Sequence, residues 1–131
     1  MDMELTIQQV ADRTGLSVHT LRYYERIGLM DPVHRTPNGR RSYKENDIEW
    51  IVLLIHLRST EMPIAEMQQF ASLVRQGDST IADRCVLLEA HERKLLEQYQ
   101  ELQTTLALLS DKIGYYRSWE MSQHEKKPIT G

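Results

Sequence analysis

Residues 80–113 contain neither proline nor glycine, and two series run through them at seven-residue intervals. Ile81, Leu88, Leu95, Leu102 and Leu109 form one series; Cys85, Glu92, Tyr99, Leu106 and Ile113 form the other, four residues further on. A repeat of this kind predicts one long helix with a seam along one side. About 35 residues at 1.5 Å each make a rod of roughly 50 Å. The roughly 75 residues that precede it are too few to cover such a seam. The seam therefore predicts a partner, and the simplest partner is a second copy. A twofold dimer then holds two N-terminal heads a set distance apart. Glu92 within the seam restricts the register, because a buried carboxylate needs a cation such as the partner's Arg84 or Lys94. A rod folded back on its own head is the alternative, and it leaves much of the seam uncovered.

Composition bounds the rest. The chain has 131 residues, 40% hydrophobic and 27% charged, as expected for a foldable globular protein with an extended appendage. No apolar run reaches the roughly 18 residues of a membrane helix, and the N-terminus has no signal-like apolar segment. One cysteine excludes an internal disulfide and a cysteine-rich zinc knuckle. These features point to an intracellular, cytoplasmic protein with no membrane association. The net charge of −3 hides an uneven distribution. Between Arg13 and Lys44 stand seven cations and two anions, whereas Glu61 onward carries 8 cations and 11 anions. A local basic patch on an acidic whole suits a phosphate backbone, since attraction acts within roughly 8–10 Å.

The basic segment contains Val18–Ile27, which reads as a helix with two unlike faces. Leu21, Tyr24 and Ile27 recur at the spacing of a buried stripe. His19, Arg22, Tyr23 and Arg26 lie largely off it and carry donors, cations and a ring. Ser17 fits an N-cap and Gly28 a C-terminal stop. Before it, Thr6 caps a helix over Ile7–Arg13 that Gly15 ends, so the pair has helix-turn-helix spacing. Such a helix can enter a DNA major groove; an ordinary surface helix with a solvated charged face is the bland alternative. After Pro32 comes Asn38-Gly39, a strong hairpin signal, flanked by Arg35, Arg40 and Arg41. A ribbon this basic directly after a basic helix favours a wing over a plain surface hairpin. A core helix follows over Ile48–Arg58, capped by Asn46 or Asp47, with Trp50 packed and His56 at the surface. A further helix over Ile64–Val74 buries Ile64, Met67, Phe70, Ala71 and Val74. At the end of the rod, Tyr115, Tyr116 and Trp119 form an aromatic cluster. It suits packing onto the partner's head or, in a second reading, one wall of a ligand pocket. A polar tail is expected to be disordered past Met121.

Ser17-x-x-Thr20-Leu21-Arg22-Tyr23-Tyr24-Glu25, then Gly28-Leu29, Pro32, Asn38-Gly39, Arg41 and Tyr43, resemble the MerR family of bacterial transcription regulators. The rod, with Leu87-Leu88-Glu89-Ala90-His91 and Lys112-Ile-x-Tyr-Tyr116, is similar to the branch of aldehyde- and thiol-stress regulators. The resemblance implies a mainly α protein. Residues 5–75 would be a winged helix-turn-helix domain, 79–119 a dimerisation helix in an antiparallel coiled coil, and 120–131 a tail. It implies a homodimer on promoter DNA that bends and untwists an over-long spacer for RNA polymerase, as activator or repressor. Ser17, His19, Thr20, Arg22, Tyr23, Tyr24 and Arg26, with Arg35, Arg40, Arg41 and Tyr43 of the wing, are then the candidate DNA contacts. Two departures stand out. The wing reads Arg40-Arg41-Ser42 where the family more often has Tyr at 40 and Arg at 42. Glu61 stands where the family often has Gly, so the turn there is expected to be shaped differently.

Metal-sensing relatives carry paired cysteines, and this chain has Cys85 alone, so no thiolate metal site and no cofactor are expected. Cys85 is either seam filler or a redox or electrophile sensor whose modification strains the dimer, with Arg84 beside it favouring the thiolate. No Gly-rich phosphate loop, paired metal-ligand motif or nucleophile–base set argues for an enzyme. An architectural DNA-bending protein of the excisionase kind is the main alternative, and such proteins usually lack a long dimer rod.

Overall fold

The computed structural model describes residues 4–30, 34, 35, 37, 39 and 41–126, with backbone alone at 34, 35, 41 and 126. In chain order come α1 (Ile7–Thr14), α2 (Val18–Arg26), strands β1 (His34–Arg35) and β2 (Arg41–Ser42), α3 (Glu45–Ser59) and α4 (Ile64–Arg75). A single 3-10 turn over Asp78–Thr80 leads into α5 (Ile81–Lys126). The protein is thus mainly α: a helix-turn-helix and short ribbon, then a long C-terminal helix. Two compact units are present, Met1–His91 and Glu92–Gly131.

Local chemistry sets where the short helices begin and end. Thr6 and Gln9 form a reciprocal capping box at the start of α1, with Thr6 N–H to Gln9 Oε1 at 2.8 Å and Gln9 N–H to Thr6 Oγ1 at 3.2 Å. Helix α2 ends in a paired motif: the Leu29 N–H reaches back to the Tyr24 carbonyl (2.9 Å) and the Gly28 N–H to the Glu25 carbonyl (3.2 Å). Gly28 supplies the left-handed backbone that this motif requires, with φ +83°. The same pattern closes α3, where the Met62 N–H bonds the Leu57 carbonyl (2.9 Å) and the Glu61 N–H bonds the Arg58 carbonyl (3.0 Å). There the left-handed residue is Glu61, φ 71°. The turn thus keeps the backbone that a glycine would adopt, although the side chain opposes it. Helix α3 starts at Glu45, earlier than expected, because Asp47 accepts the Lys44 N–H at 2.8 Å and so caps from inside the first turn.

One core joins the short elements. Val10, Leu21, Leu29, Ile51, Leu54, Met62 and Met67 are fully enclosed, each from a different turn of α1 to α4 or the connections between them. Leu5 pairs with Tyr43 in an antiparallel bridge, Leu5 N–H to the Tyr43 carbonyl at 2.7 Å and Tyr43 N–H to the Leu5 carbonyl at 2.9 Å. Trp50 stacks on Phe70 with ring centroids 5.4 Å apart, linking α3 to α4.

The N-terminal unit extends through His91, past the expected domain end at 75. The first turns of α5 are the reason. Leu87 and Leu88 pack against the core, and His91, 8% exposed, shares a 2.8 Å hydrogen bond between Nε2 and Thr60 Oγ1. Helix α5 then continues to Lys126, so residues 120–126, expected in the tail, are helical. Residues 127–131 lie outside the described ones.

Candidate nucleic-acid interface

Helix α2 separates its residues as the sequence spacing requires. Leu21 and Tyr24 face the core, and His19, Arg22, Tyr23 and Arg26 are exposed on the other side. Ser17 Oγ accepts the Thr20 N–H at 3.0 Å and lies 2.9 Å from Thr20 Oγ1, so the two hydroxyls brace the N-terminus together. The Arg26 guanidinium sits 5.7 Å from the Tyr23 ring centroid, which holds a cation and an aromatic face side by side. The outward face thereby offers an imidazole, two guanidiniums and a phenol in one patch.

The ribbon follows. Its register pairs His34 with Ser42 and Arg35 with Arg41, which sets two arginine positions directly opposite each other. Gly39 has φ +80°, the sign that the expected Asn-Gly turn demands. Asn38 and Arg40 lie outside the described residues.

Two candidate contacts are core residues instead. Tyr24 is 7% exposed and Tyr43 fully enclosed, so neither ring presents a face to a ligand. Tyr24 falls one turn beyond Leu21 on the buried stripe, and the bridge to Leu5 pins Tyr43 at the base of the ribbon. Arg13, one of the seven cations of the basic segment, is held by Glu45 through two N–H···O contacts, the longer 3.0 Å. The hydrogen bond from Arg13 holds the Glu45 carboxyl below its ordinary range, against an opposing effect of desolvation and with a lesser contribution from the Arg13 charge.

Three side chains that sequence reasoning passed over, or read as packing alone, meet the end of α2. Gln68 Nε2 donates to the Ile27 carbonyl at 2.8 Å, Arg75 donates to the Gly28 carbonyl, and Trp50 Nε1 donates to the Leu29 carbonyl at 2.8 Å. Gln68 and Arg75 stand seven residues apart, on one face of α4. That pair of long polar residues along the border of an apolar stripe was the signal available.

On α5, the expected seam divides. Leu88 packs against the core of its own unit and Leu95 is partly buried, while Ile81, Cys85 and Glu92 are exposed. Tyr99, Leu102, Leu106, Leu109 and Ile113 leave 52–59% of their surface uncovered, at alternating three- and four-residue spacing. Cys85 is a free, exposed thiol. Arg84 turns elsewhere: its Nε donates to Thr80 Oγ1 at 3.0 Å and its terminal nitrogen to the Gly77 carbonyl at 2.6 Å. Tyr115 and Tyr116 are exposed, and the Lys112 ammonium lies 5.5 and 5.3 Å from their ring centroids. Among the described residues no cluster of His, Cys, Asp or Glu is placed to hold a metal ion. No described helix is long and apolar enough to cross a membrane.

Comparison with known proteins agrees with this geometry. Residues 5–73 match the MerR HTH family regulatory protein domain. The chain is 34% identical over 115 residues to an uncharacterized HTH-type transcriptional regulator of Haemophilus influenzae, covering 88% of this chain and 85% of that one. It superposes on a crystal structure of a chain assigned to the MerR family from Listeria monocytogenes with TM-score 0.86 and 31% identity, over 93% of this chain and 92% of the other. It also superposes on HiNmlR, a MerR family regulator lacking the sensor domain and bound to promoter DNA, with TM-score 0.80 and 33% identity, over 91% and 94% of the two chains. These are transcription regulators, not enzymes, and this chain belongs to the MerR family of helix-turn-helix regulators.

Proposed function

We propose that this MerR-family chain acts as a cytoplasmic homodimer that recognises a specific promoter duplex, distorts its spacer for RNA polymerase, and responds to stress or a small ligand. The observation that carries the DNA reading is the exposed face of α2, where His19, Arg22, Tyr23 and Arg26 stand together behind a capped N-terminus. A helix of this kind fits the major groove, and its arginines can take phosphates or base edges. The ribbon supports the reading. Its register sets Arg35 opposite Arg41, so two cationic residue types share one position along the ribbon. Arg35, Arg40 and Arg41 are therefore proposed as backbone contacts, with Ser17 and Thr20 at the helix entrance. HiNmlR, similar over nearly the whole chain, is bound to promoter DNA.

The uncovered stripe from Tyr99 to Ile113 supports an antiparallel pairing of two α5 helices. The aromatic end cluster is then covered by the partner's head. The same stripe weighs against a short architectural DNA-bending protein, which has no use for it. Cys85 is exposed, as a sensor must be, and the unchanged inducer response of Cys85→Ser would remove it from that role.

The test is salt-dependent binding. The purified chain should select a duplex from a randomised pool and bind it with an affinity that falls steeply with salt, by about 0.9 log units per log unit of salt for each phosphate contact. Arg22→Ala should weaken binding to the selected duplex roughly tenfold or more. Binding that is insensitive to salt, or an Arg22→Ala protein that binds as before, overturns the reading.

A further inference from the structure

We propose that α4 is a clasp on the recognition helix, in which Gln68 and Arg75 are positioning residues. They fix the pitch of α2 by capping the Ile27 and Gly28 carbonyls, and so govern sequence discrimination without touching DNA. The inference rests on the reading of α2 as the helix that enters the groove.

The last carbonyls of a helix have no partner within it. In α2 the terminal motif uses Tyr24 and Glu25, and past Arg26 three consecutive carbonyls each hold a side-chain donor from a distant element. Ile27 is reached from Gln68, 41 residues away; Gly28 from Arg75, 47 away; and Leu29 from Trp50, 21 away. Two of these donors are on α4. Both Gln68 and Arg75 are exposed side chains that add little to the core. Their geometry is explained by orientation: three consecutive backbone acceptors held by three donors cannot swing relative to α3 and α4. A base contact made by a bidentate side chain tolerates little displacement, so the pitch of the helix that carries it sets how well one sequence is told from another.

The far end of the clasp is tied to α5. Thr80 Oγ1 donates to the Leu73 carbonyl of α4, and Arg84 holds both Thr80 and the Gly77 carbonyl. The C-terminal turn of α4 is thus held from the base of α5 at Leu73, while its Arg75 reaches the end of α2.

The experiment compares the unaltered full chain with Gln68→Ala and Arg75→Gln. The probes are the duplex that the unaltered chain selects from a randomised pool and a scrambled duplex of equal length. Affinities are measured over a range of salt, alongside thermal unfolding. Both variants are expected to bind the selected duplex roughly three- to tenfold more weakly. The scrambled duplex should be bound as before, with the salt slope unchanged and the unfolding midpoint within about 3 °C. Gln68→Ala alters no charge, so its loss cannot be electrostatic. A salt slope that falls by about one for Arg75→Gln means a direct phosphate contact and overturns the proposal. Equal weakening of both duplexes with a lowered midpoint means a merely structural role and overturns it too. Unchanged discrimination overturns it as well. If the unaltered chain selects no duplex, the DNA reading itself fails and the clasp falls with it.

Discussion

At the scale of single residues, Glu61 is the most telling. It holds φ 71° at the close of α3, while Gly28 holds φ +83° at the same point of the same motif closing α2. An L side chain in that region meets its own backbone, at a cost of about 1 kcal/mol or more. Glu61→Gly is therefore expected to raise stability by about 1 kcal/mol in urea unfolding, and an unchanged or lowered midpoint would refute the strain. Glu45 gives a second expectation. Its folded carboxyl lies below the ordinary range because Arg13 bonds the ionised form. The pair's contribution is thus fully present above about pH 4.3, the ordinary range, and fades as pH falls below it through the lowered folded value, while Arg13 stays charged. Both partners are about half exposed, so the effect is small. Glu45→Gln should flatten the acid limb of a stability–pH profile, and an identical limb would deny the pair that role. Residue identities were read well from sequence where spacing decides, as at Leu21, Arg22 and Met67. Spacing put Tyr24 on the buried stripe and only the resemblance made it a DNA contact, while Tyr43, also a contact by resemblance, could suit either a wet face or a core. For Tyr43 only the long-range bridge to Leu5 decides which.

Elements show a different division. Caps and glycines made α1, α2 and α4 legible nearly to the residue, since these signals are local. The heptad run announced α5 but not its double role. Its first turns carry Arg84, Leu87, Leu88 and His91 into the N-terminal unit, and only beyond them is the apolar stripe uncovered. A periodic pattern says that a face is buried, not what buries it. Thr60 tests this assignment, because its hydroxyl joins the end of α3 to His91, 2.8 Å away, and reaches the His56 carbonyl at 2.7 Å. Thr60→Val keeps the shape and removes the hydroxyl, leaving a buried imidazole nitrogen without that partner. A loss of about 1–2 kcal/mol is expected, with faster amide exchange at the start of α5. Exchange that quickens only within α3 would show that the hydroxyl serves α3 alone. The clasp on α2 was illegible for a related reason: donors 41 and 47 residues distant meet carbonyls, and carbonyls carry no sequence label.

For the whole molecule, what matters is the division into two compact units. The N-terminal unit has its own core and caps. Beyond it, Tyr99, Leu102, Leu106, Leu109 and Ile113 are more than half exposed in a single chain. An apolar stripe of that length facing water is unfavourable and is relieved by pairing, at roughly 25 cal/mol for each Å² covered. Replacing Leu102 and Leu109 together by Glu keeps strong helix formers while placing like charges in the proposed seam. The doubly substituted chain should sediment as a monomer, yet show the unaltered unfolding transition of its N-terminal unit. Its affinity for the selected duplex should fall about 100-fold or more, because a second head linked to the first binds at millimolar effective concentration and an unlinked one does not. A monomer that binds as tightly as the unaltered chain would mean that one head suffices. A substituted chain that still sediments as a dimer would mean that some other surface joins the copies. Either result would detach the rod from recognition, and the spacing of paired half-sites on DNA could then no longer be traced to its length.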